Sequence, residues 1–270
     1  MRGSLGEKIG EGASADIHAW APGQVVKLFK AGVPRQLGWH EAYMTRAVFA
    51  AGAPAPEVLD VVTLEGRVGI VLRRLDGPTL LQLTRSGAMT FGQAGAILAS
   101  LYMSVHKTPP TWEVLPLRDW MDGALRSAGG MVSKHIASGI LALIERLQPG
   151  DGLCHGDLHP GNVVMTADGP RIVDWLGAVR APAAFDLGIC HILLTELAPD
   201  VADDPQRPRA VNAAAQAQYA RLAGMSQAAL TAAMEPYLPI VCVRILLGGA
   251  TNAQRERLIQ RIEVAARSQD

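Results

Sequence analysis

Residues 153–175, LCHGDLHPGNVVMTADGPRIVDW, constrain the fold more than any other stretch of this 270-residue chain. Two short runs, NVVM and RIVDW, are joined by TADGP, and Asp168-Gly169 is a strong turn signal, so the segment predicts a β-hairpin. A hairpin returns its two ends to one place. Asn162 stands just before the first strand and Asp174 at the end of the second, so their side chains should sit close together. A carboxylate and an amide oxygen are hard donors, which suits Mg²⁺ completed by waters and substrate phosphates. Asp157, on the loop before the hairpin, brings another carboxylate to the same point, as a proton acceptor.

The flanking pieces have a clear order. Up to residue 75 the chain reads as strands with one inserted helix. KIGEGASADIHAW is a Gly-bearing turn between two strands. VVKLFK alternates, with Val25, Lys27 and Phe29 on one side and Val26 and Leu28 on the other. QLGWHEAYMTRAVFAAG reads as a helix that stops at Gly52. Pro54 and Pro56 force extended backbone, and two β-branched runs then flank Glu65-Gly66 as a hairpin turn. LDGPTLLQL reads as a connector. Thr90 and Gln93 make a capping box ahead of Ala94, Ile97, Leu98, Leu101 and Val105 at helical spacing. HIASGILALIERL is a second helix, ending before Pro149-Gly150. From about Phe185 the chain is Ala-rich and helical, through AQRERLIQRIEVAARS at its end, with PDVADDPQRPRA as the best loop candidate. The expectation is an α+β chain with a β-rich lobe over residues 1–76, a mainly helical lobe over 77–270 and a ligand cleft between them.

Charge and composition narrow the partners. Lys plus Arg and Asp plus Glu both number 25, so there is no basic footprint for nucleic acid or an anionic membrane. The N-terminus has no apolar leader core, and LPIVCVRILLGGA is broken by Arg244 and too short to span a bilayer. Three sparse Cys fit a reducing compartment, so a cytoplasmic protein is expected; oligomeric state stays open. Only five basic residues are Lys, none beyond Lys134. A role that needs an ammonium therefore has few candidates, and Lys27, flanked in alternation by Val25 and Phe29, is favoured over Lys30.

His155-Gly156-Asp157, four residues, Asn162 and then Asp174 resembles the catalytic loop and metal-binding Asp of the kinase fold. The wording HGDLHPGN with VDW is similar to the aminoglycoside phosphotransferase family, which includes choline-kinase-like small-molecule kinases. IGEGASADI stands where that family has its nucleotide-covering loop, with Gly10 and Gly12 matching and Ala15 in place of a third Gly. VVKL supplies Lys27, and HEAYMTRAVFAAGAPAPEVL supplies Glu41 and the paired prolines. VLRRLDGPTL resembles the hinge, and DWLGAVRAPAAFDLG the segment after the metal Asp, with Asp186 in place. Many relatives carry an acid after the Asp-Trp pair where this chain has Leu176. The last roughly 80 residues carry no motif of the family.

The resemblance implies a two-lobed protein-kinase-like fold and transfer of a phosphoryl group from ATP or GTP, with Mg²⁺, to a hydroxyl of a small acceptor. Lys27 would contact the α/β-phosphates and be held by Glu41, with Gly10 and Gly12 in the loop over the nucleotide. Asn162 and Asp174 would hold Mg²⁺, and Asp157 would accept or orient the proton of the attacking hydroxyl. His155 would brace the loop and His159 lie near the phosphates. Asp186 would cap a helix or accept bonds from the catalytic-loop backbone.

Two other readings compete. A non-catalytic nucleotide-binding protein on this fold should have lost one of Lys27, Asp157, Asn162 or Asp174, and none is lost. A His-x-Asp-x-His metal hydrolase on His155, Asp157 and His159 needs further ligands that the other five His do not supply by spacing. WLGAVRAPAAF is too short for the long activation loop of a protein kinase. Residues 196–270 hold eight acids and eight Arg, which argues mildly against a polycationic aminoglycoside and leaves a sugar, an amino alcohol or another alcohol-bearing metabolite open.

Overall fold

The computed structural model describes residues 4–109, 111–200 and 202–267. Five strands, β1 (Lys8–Glu11), β2 (Ala15–Ala21), β3 (Gln24–Phe29), β4 (Val58–Leu64) and β5 (Arg67–Arg73), form one antiparallel sheet in the order β1-β2-β3-β5-β4. Glu65 and Gly66, both at positive φ, make the two-residue turn between β4 and β5, as the right-handed twist of a tight hairpin requires. Helix α1 (Arg35–Ala50) lies on the sheet through Ala42, against Phe29, Val68 and Ile70. Gly38 permits that approach: a Cβ there would stand 2.8 Å from Val68 Cγ1. The helix ends before Gly52, whose φ is +93°.

The connector after β5 differs from its reading. It holds a short helix, α2 (Leu80–Arg85), with a capping box between Thr79 and Gln82. Gly77 is required in it, because a Cβ would fall 1.9 Å from the carbonyl oxygen of Met165 and the φ is +152°. Helix α3 (Phe91–Lys107) starts at the Thr90–Gln93 capping box. Helix α4 (Leu117–Ser127) has no counterpart in the sequence reading, although Leu117, Met121 and Leu125 recur at helical spacing. α5 (Lys134–Arg146) follows.

Two small ribbons come next: β6 (Gly152–Cys154) paired with β9 (Val179–Ala181), and the hairpin β7 (Val163–Thr166) with β8 (Gly169–Ile172). The hairpin turn is Ala167-Asp168, one residue earlier than expected; Gly169 opens β8 at φ +107°. The hairpin is tied to the N-terminal lobe by Ile172 N–H to Pro54 O at 2.7 Å and to the connector by Met165 N–H to Pro78 O at 2.9 Å.

The rest is helical: α6 (Ala183–Ile192), a π turn at Leu193–Leu197, α7 (Gln206–Leu222), α8 (Gln227–Met234), α9 (Leu238–Gly249) and α10 (Asn252–Arg267). The expected loop around Pro205 is shorter than its composition suggested. α7 begins at Gln206 and takes Pro208 in its first turn, where the missing N–H has no intrahelical acceptor to lose. Ser268, the expected end of the last helix, and Asp270 lie outside the described residues. The stretch Gln227–Gly248 is long and apolar enough, by length and composition alone, to cross a membrane. More than half of that window is buried in protein, with α9 set against α6 at Gly188.

The tightest helix contact supplies a paired test. A Cβ on Gly95 of α3 would meet Ala214 Cβ of α7 at 2.5 Å, whereas one on Gly92, a turn earlier, meets nothing within 4 Å. Gly95→Ala should lower stability by about 1–3 kcal/mol through overpacking. Gly92→Ala should raise it by about 0.4–1 kcal/mol through a less flexible unfolded chain. Denaturant unfolding of both variants checks the opposite signs.

Candidate functional site

The loop from Cys154 to Asn162 is buried enough that its peptide groups need protein partners. Asp186, fully buried in the first turn of α6, accepts from the amides of His155 (2.9 Å) and Gly156 (2.8 Å). It makes no cap: α6 has no side-chain cap, so of its two expected roles it takes the loop-bracing one. Behind it, His106 Nε2 lies 3.3 Å from Asp186 Oδ2, and His106 Nδ1 lies 2.9 Å from the Tyr219 hydroxyl. Burial would raise the Asp186 carboxyl, but the bonds from His106 and the Gly156 amide outweigh it and hold the pKa below the usual carboxylate value. Tyr102 donates to the carbonyl of Leu158 at 2.6 Å.

His155 turns its ring along the loop. Its Nδ1 accepts from the Asp157 amide at 3.1 Å, which places the ring proton on Nε2, directed to the Val173 carbonyl at 3.1 Å. Burial pushes its pKa down, so the ring is neutral. It meets Trp175 edge to face at 4.5 Å. The loop from Cys154 to Asn162 and the segment entering Asp174 are thereby joined through one imidazole. Gly156 has φ +78°, and a Cβ there would strike the Gly177 carbonyl oxygen at 2.2 Å.

Asp174 does not end the second hairpin strand. It lies two residues past β8, in left-handed backbone (φ +66°, ψ +64°), opening the 3₁₀ turn Trp175–Gly177. Asp tolerates that conformation better than a branched residue does. The turn aims its carboxylate across to the sheet, where Lys27 Nζ lies 3.5 Å from Asp174 Oδ1 and 2.6 Å from Glu41 Oε1. Burial alone would lower the Lys27 pKa; Glu41 and Asp174 reverse this and raise it, keeping the ammonium charged. Burial acts on Glu41 in the opposite sense, and its Oε2 has no hydrogen-bond partner. Its 2.6 Å contact with the Lys27 ammonium pulls the other way, and with burial the larger effect the Glu41 pKa stays raised. Lys30 instead reaches Glu11 in exposed surroundings.

Asp157 is 45% exposed and Asp174 40%. Asn162, in the 3₁₀ turn Pro160–Asn162, directs its amide hydrogens to the main-chain carbonyl of Asp157 (2.9 Å) and to Asp157 Oδ2 (3.3 Å). That orientation leaves Oδ1 as its acceptor, and Val173 N–H bonds the Asn162 carbonyl at 2.9 Å. The Asn162 amide oxygen, the Asp157 carboxylate in contact with its amide and the half-exposed Asp174 carboxylate are hard oxygen donors of the kind that fits Mg²⁺. Crowding by protein raises the Asp157 pKa, against the opposing pull of His159 and His155. His159 sits with Nε2 3.9 Å from Asp157 Oδ2 and Nδ1 accepting from the Gly161 amide.

The structure therefore brings Lys27, Glu41 and Asp174 into one ion cluster, with Asp157 and Asn162 in contact beside it. Gly10 lies within β1, paired with Ile17, and Gly12, whose amide bonds Ala15 O at 2.8 Å, opens the turn between β1 and β2. A His/Asp hydrolase centre does not form, since both nitrogens of His155 face backbone. Among the described residues, the one trio of His, Cys and carboxylate ligand atoms within 4.8 Å is His106, Cys154 and Asp186, already bonded to one another's surroundings. Sequence reasoning missed Arg244, which bonds the carbonyls of Gly156 and Gly177, both at 3.0 Å. Its signal was a lone charge in an apolar helical run.

A sequence model described as the phosphotransferase enzyme family matches residues 6–231. No curated protein matches the sequence. Among solved structures, a choline/ethanolamine kinase family protein from Mesorhizobium loti is 17% identical, with TM-score 0.60 over 97% of this chain and 87% of that one. The aminoglycoside phosphotransferase APH(2'')-IIa, solved with streptomycin and ATP, is 13% identical, with TM-score 0.58 over 97% and 91%. The aminoglycoside phosphotransferase APH(3'')-Id from Streptomyces rimosus, solved with ADP and streptomycin, is 16% identical, with TM-score 0.53 over 84% and 92%. At these identities they show the protein-kinase-like fold.

Asp186 makes a pH-dependent test. Its folded pKa is lowered, so its stabilisation is complete above the unfolded value of about 3.9 and is lost as pH falls through the folded value. Asp186→Asn should cost about 3 kcal/mol at pH 7. The gap to wild type should narrow progressively below pH ~4. Urea midpoints at several pH values check this; a gap constant with pH contradicts it.

Proposed function

The chain belongs to the phosphotransferase enzyme family, and on that premise we propose that it is a small-molecule kinase that moves the γ-phosphoryl group of ATP or GTP to a hydroxyl of a small acceptor. One observation carries the proposal. Residues from β3, α1 and the turn after β8 place an ammonium between two carboxylates, 2.6 Å and 3.5 Å away, beside the contacting pair Asp157 and Asn162. A charged, position-fixed Lys27 next to hard oxygen donors is what a polyphosphate requires.

In this reading Lys27 binds donor phosphate oxygens, and Glu41 fixes the ammonium by holding it from the opposite side. Asn162 and Asp174 hold Mg²⁺, which when bound neutralises charge on the donor phosphates. Asp157 accepts the proton of the acceptor hydroxyl as its oxygen bonds the γ-phosphorus and the bond to the nucleoside diphosphate breaks. A base so placed contributes about 10²–10⁴-fold. Its half-exposed carboxylate is open to an incoming alcohol.

The acceptor is a neutral or weakly charged alcohol rather than a polycation. In the chain after the site, Glu196 pairs with Arg261, Asp200 with Arg257 and Asp204 with Arg207. Those carboxylates are already neutralised, which lowers their pull on a polyamine.

A panel of hydroxyl acceptors, with aminoglycosides, sugars and amino alcohols as arms, should show nucleotide consumption with at least one alcohol. Asp157→Asn should reduce that turnover by about 10²–10⁴-fold. No phosphorylated product with either nucleotide, or full turnover by the variant, contradicts the reading. Mg-nucleotide at about 100 times its Kd should stabilise the fold by about 2.7 kcal/mol. Lys27→Met should lose most of that thermal shift.

A further inference from the structure

Arg244 is a charge in the wrong place for a merely structural helix. It lies on α9 between Val243 and Ile245, and only 9% of it is exposed. Among the described residues no carboxylate pairs with it; the charges of Asp157 and Asp186 act on it at longer range, and burial lowers its pKa. An unpaired buried charge is costly, and an apolar side chain of similar size is usually as stable or more so.

Its partners are backbone carbonyls of the candidate site. Nε donates to Gly156 O and Nη2 to Gly177 O, both at 3.0 Å. Gly156 immediately precedes Asp157, and Gly177 closes the turn that Asp174 opens. A planar guanidinium can span two carbonyls in fixed geometry, which an ammonium cannot. The guanidinium is also stacked 4.2 Å from the Trp120 ring of α4, which fixes its plane. Both glycines leave room for it: a Cβ on Gly177 would stand 2.2 Å from Nη2, and one on Gly156 2.6 Å from it.

We infer that Arg244 is a positioning residue for phosphoryl transfer, holding the Asp157 loop and the Asp174 turn at a fixed separation through the carbonyls of Gly156 and Gly177, while Asp186 holds the amides of His155 and Gly156. The inference rests on the kinase reading of those two segments. It gives the C-terminal helices a role in the chemistry: α9 and α4 set the distance between proton acceptor and metal-holding carboxylate.

The test compares Arg244→Gln, Arg244→Lys and Gly177→Ala in the full chain, below their melting temperatures. Two readouts are taken: steady-state phosphoryl transfer, and hydrogen exchange of peptides covering residues 154–158 and 174–179. Arg244→Gln should lower kcat about 10²-fold, the effect of a misplacement of about 1 Å. KM for the nucleotide should stay within about threefold, since ground-state binding is not removed. Exchange should speed up in those two peptides and not in α3. Arg244→Lys should recover only part of kcat, and Gly177→Ala should reproduce the loss without adding to it in the Arg244→Gln background, because the two changes break one contact.

Unchanged kcat in Arg244→Gln overturns the inference. So does a fall in kcat matched by faster exchange throughout the helical lobe, which marks a packing role only. If Arg244→Gln does not fold, Arg244→Lys and Gly177→Ala give the same decision. Absence of phosphoryl transfer in the wild type marks failure of the kinase reading instead, and the exchange data still report whether Arg244 fixes the two segments.

Discussion

One ammonium joins the sheet to the hairpin. Lys27 Nζ, on β3, is shared between Glu41 of α1 and Asp174 beyond β8. Each partner comes from a different element, so the contact exists only when α1 lies flat on the sheet and the turn after β8 points back at it. The first condition is met through Gly38, which lets α1 approach Val68 and Phe29. The second is met by the left-handed backbone of Asp174. A buried, charged lysine between two carboxylates is expensive to assemble without further use. Phosphate oxygens would engage its remaining hydrogens and the half-exposed side of Asp174.

Around that joint the chain solves a backbone problem. A buried loop must find partners for its peptide groups, and here Asn162 and His159 within the loop serve the Asp157 carbonyl and the Gly161 amide, while four further side chains supply the rest. Asp186 takes the amides of His155 and Gly156, Tyr102 serves Leu158, Arg244 serves Gly156 and Gly177, and His155 serves Asp157 and Val173. They come from α3, α6, α9 and the loop itself. Side chains of α3, α6 and α9 thus set where Asp157 and Asp174 stand, and in the proposed transfer a loop with fixed amides would need little reorganisation.

Much of this was legible in the sequence where the signal is local. Alternation in VVKLFK put Lys27 on its face, the Thr90–Gln93 box marked the start of α3, and the turn residues marked the hairpin. Errors of one or two residues arose where turn chemistry competed: Gly169 opened β8 instead of sitting in the turn, and Asp174 left the strand to adopt its own turn. Helix α2 was hidden because six residues are too few to show periodicity. The start of α7 was hidden because Pro208 reads as a breaker, although a first turn accepts it. Arg244 was read only as an interruption of an apolar run. Its meaning depends on Gly156 and Gly177, 88 and 67 residues away, and no local pattern encodes such a contact.

The most direct measurement is a crystal structure with a non-hydrolysable ATP or GTP analogue and Mn²⁺ in place of Mg²⁺, with the metal located by its anomalous signal. The account predicts a peak bridged by Asn162 Oδ1 and the Asp174 carboxylate, with Lys27 against the donor phosphates and Asp157 facing the terminal phosphoryl group. A nucleotide bound elsewhere, or a metal peak away from Asn162 and Asp174, contradicts it.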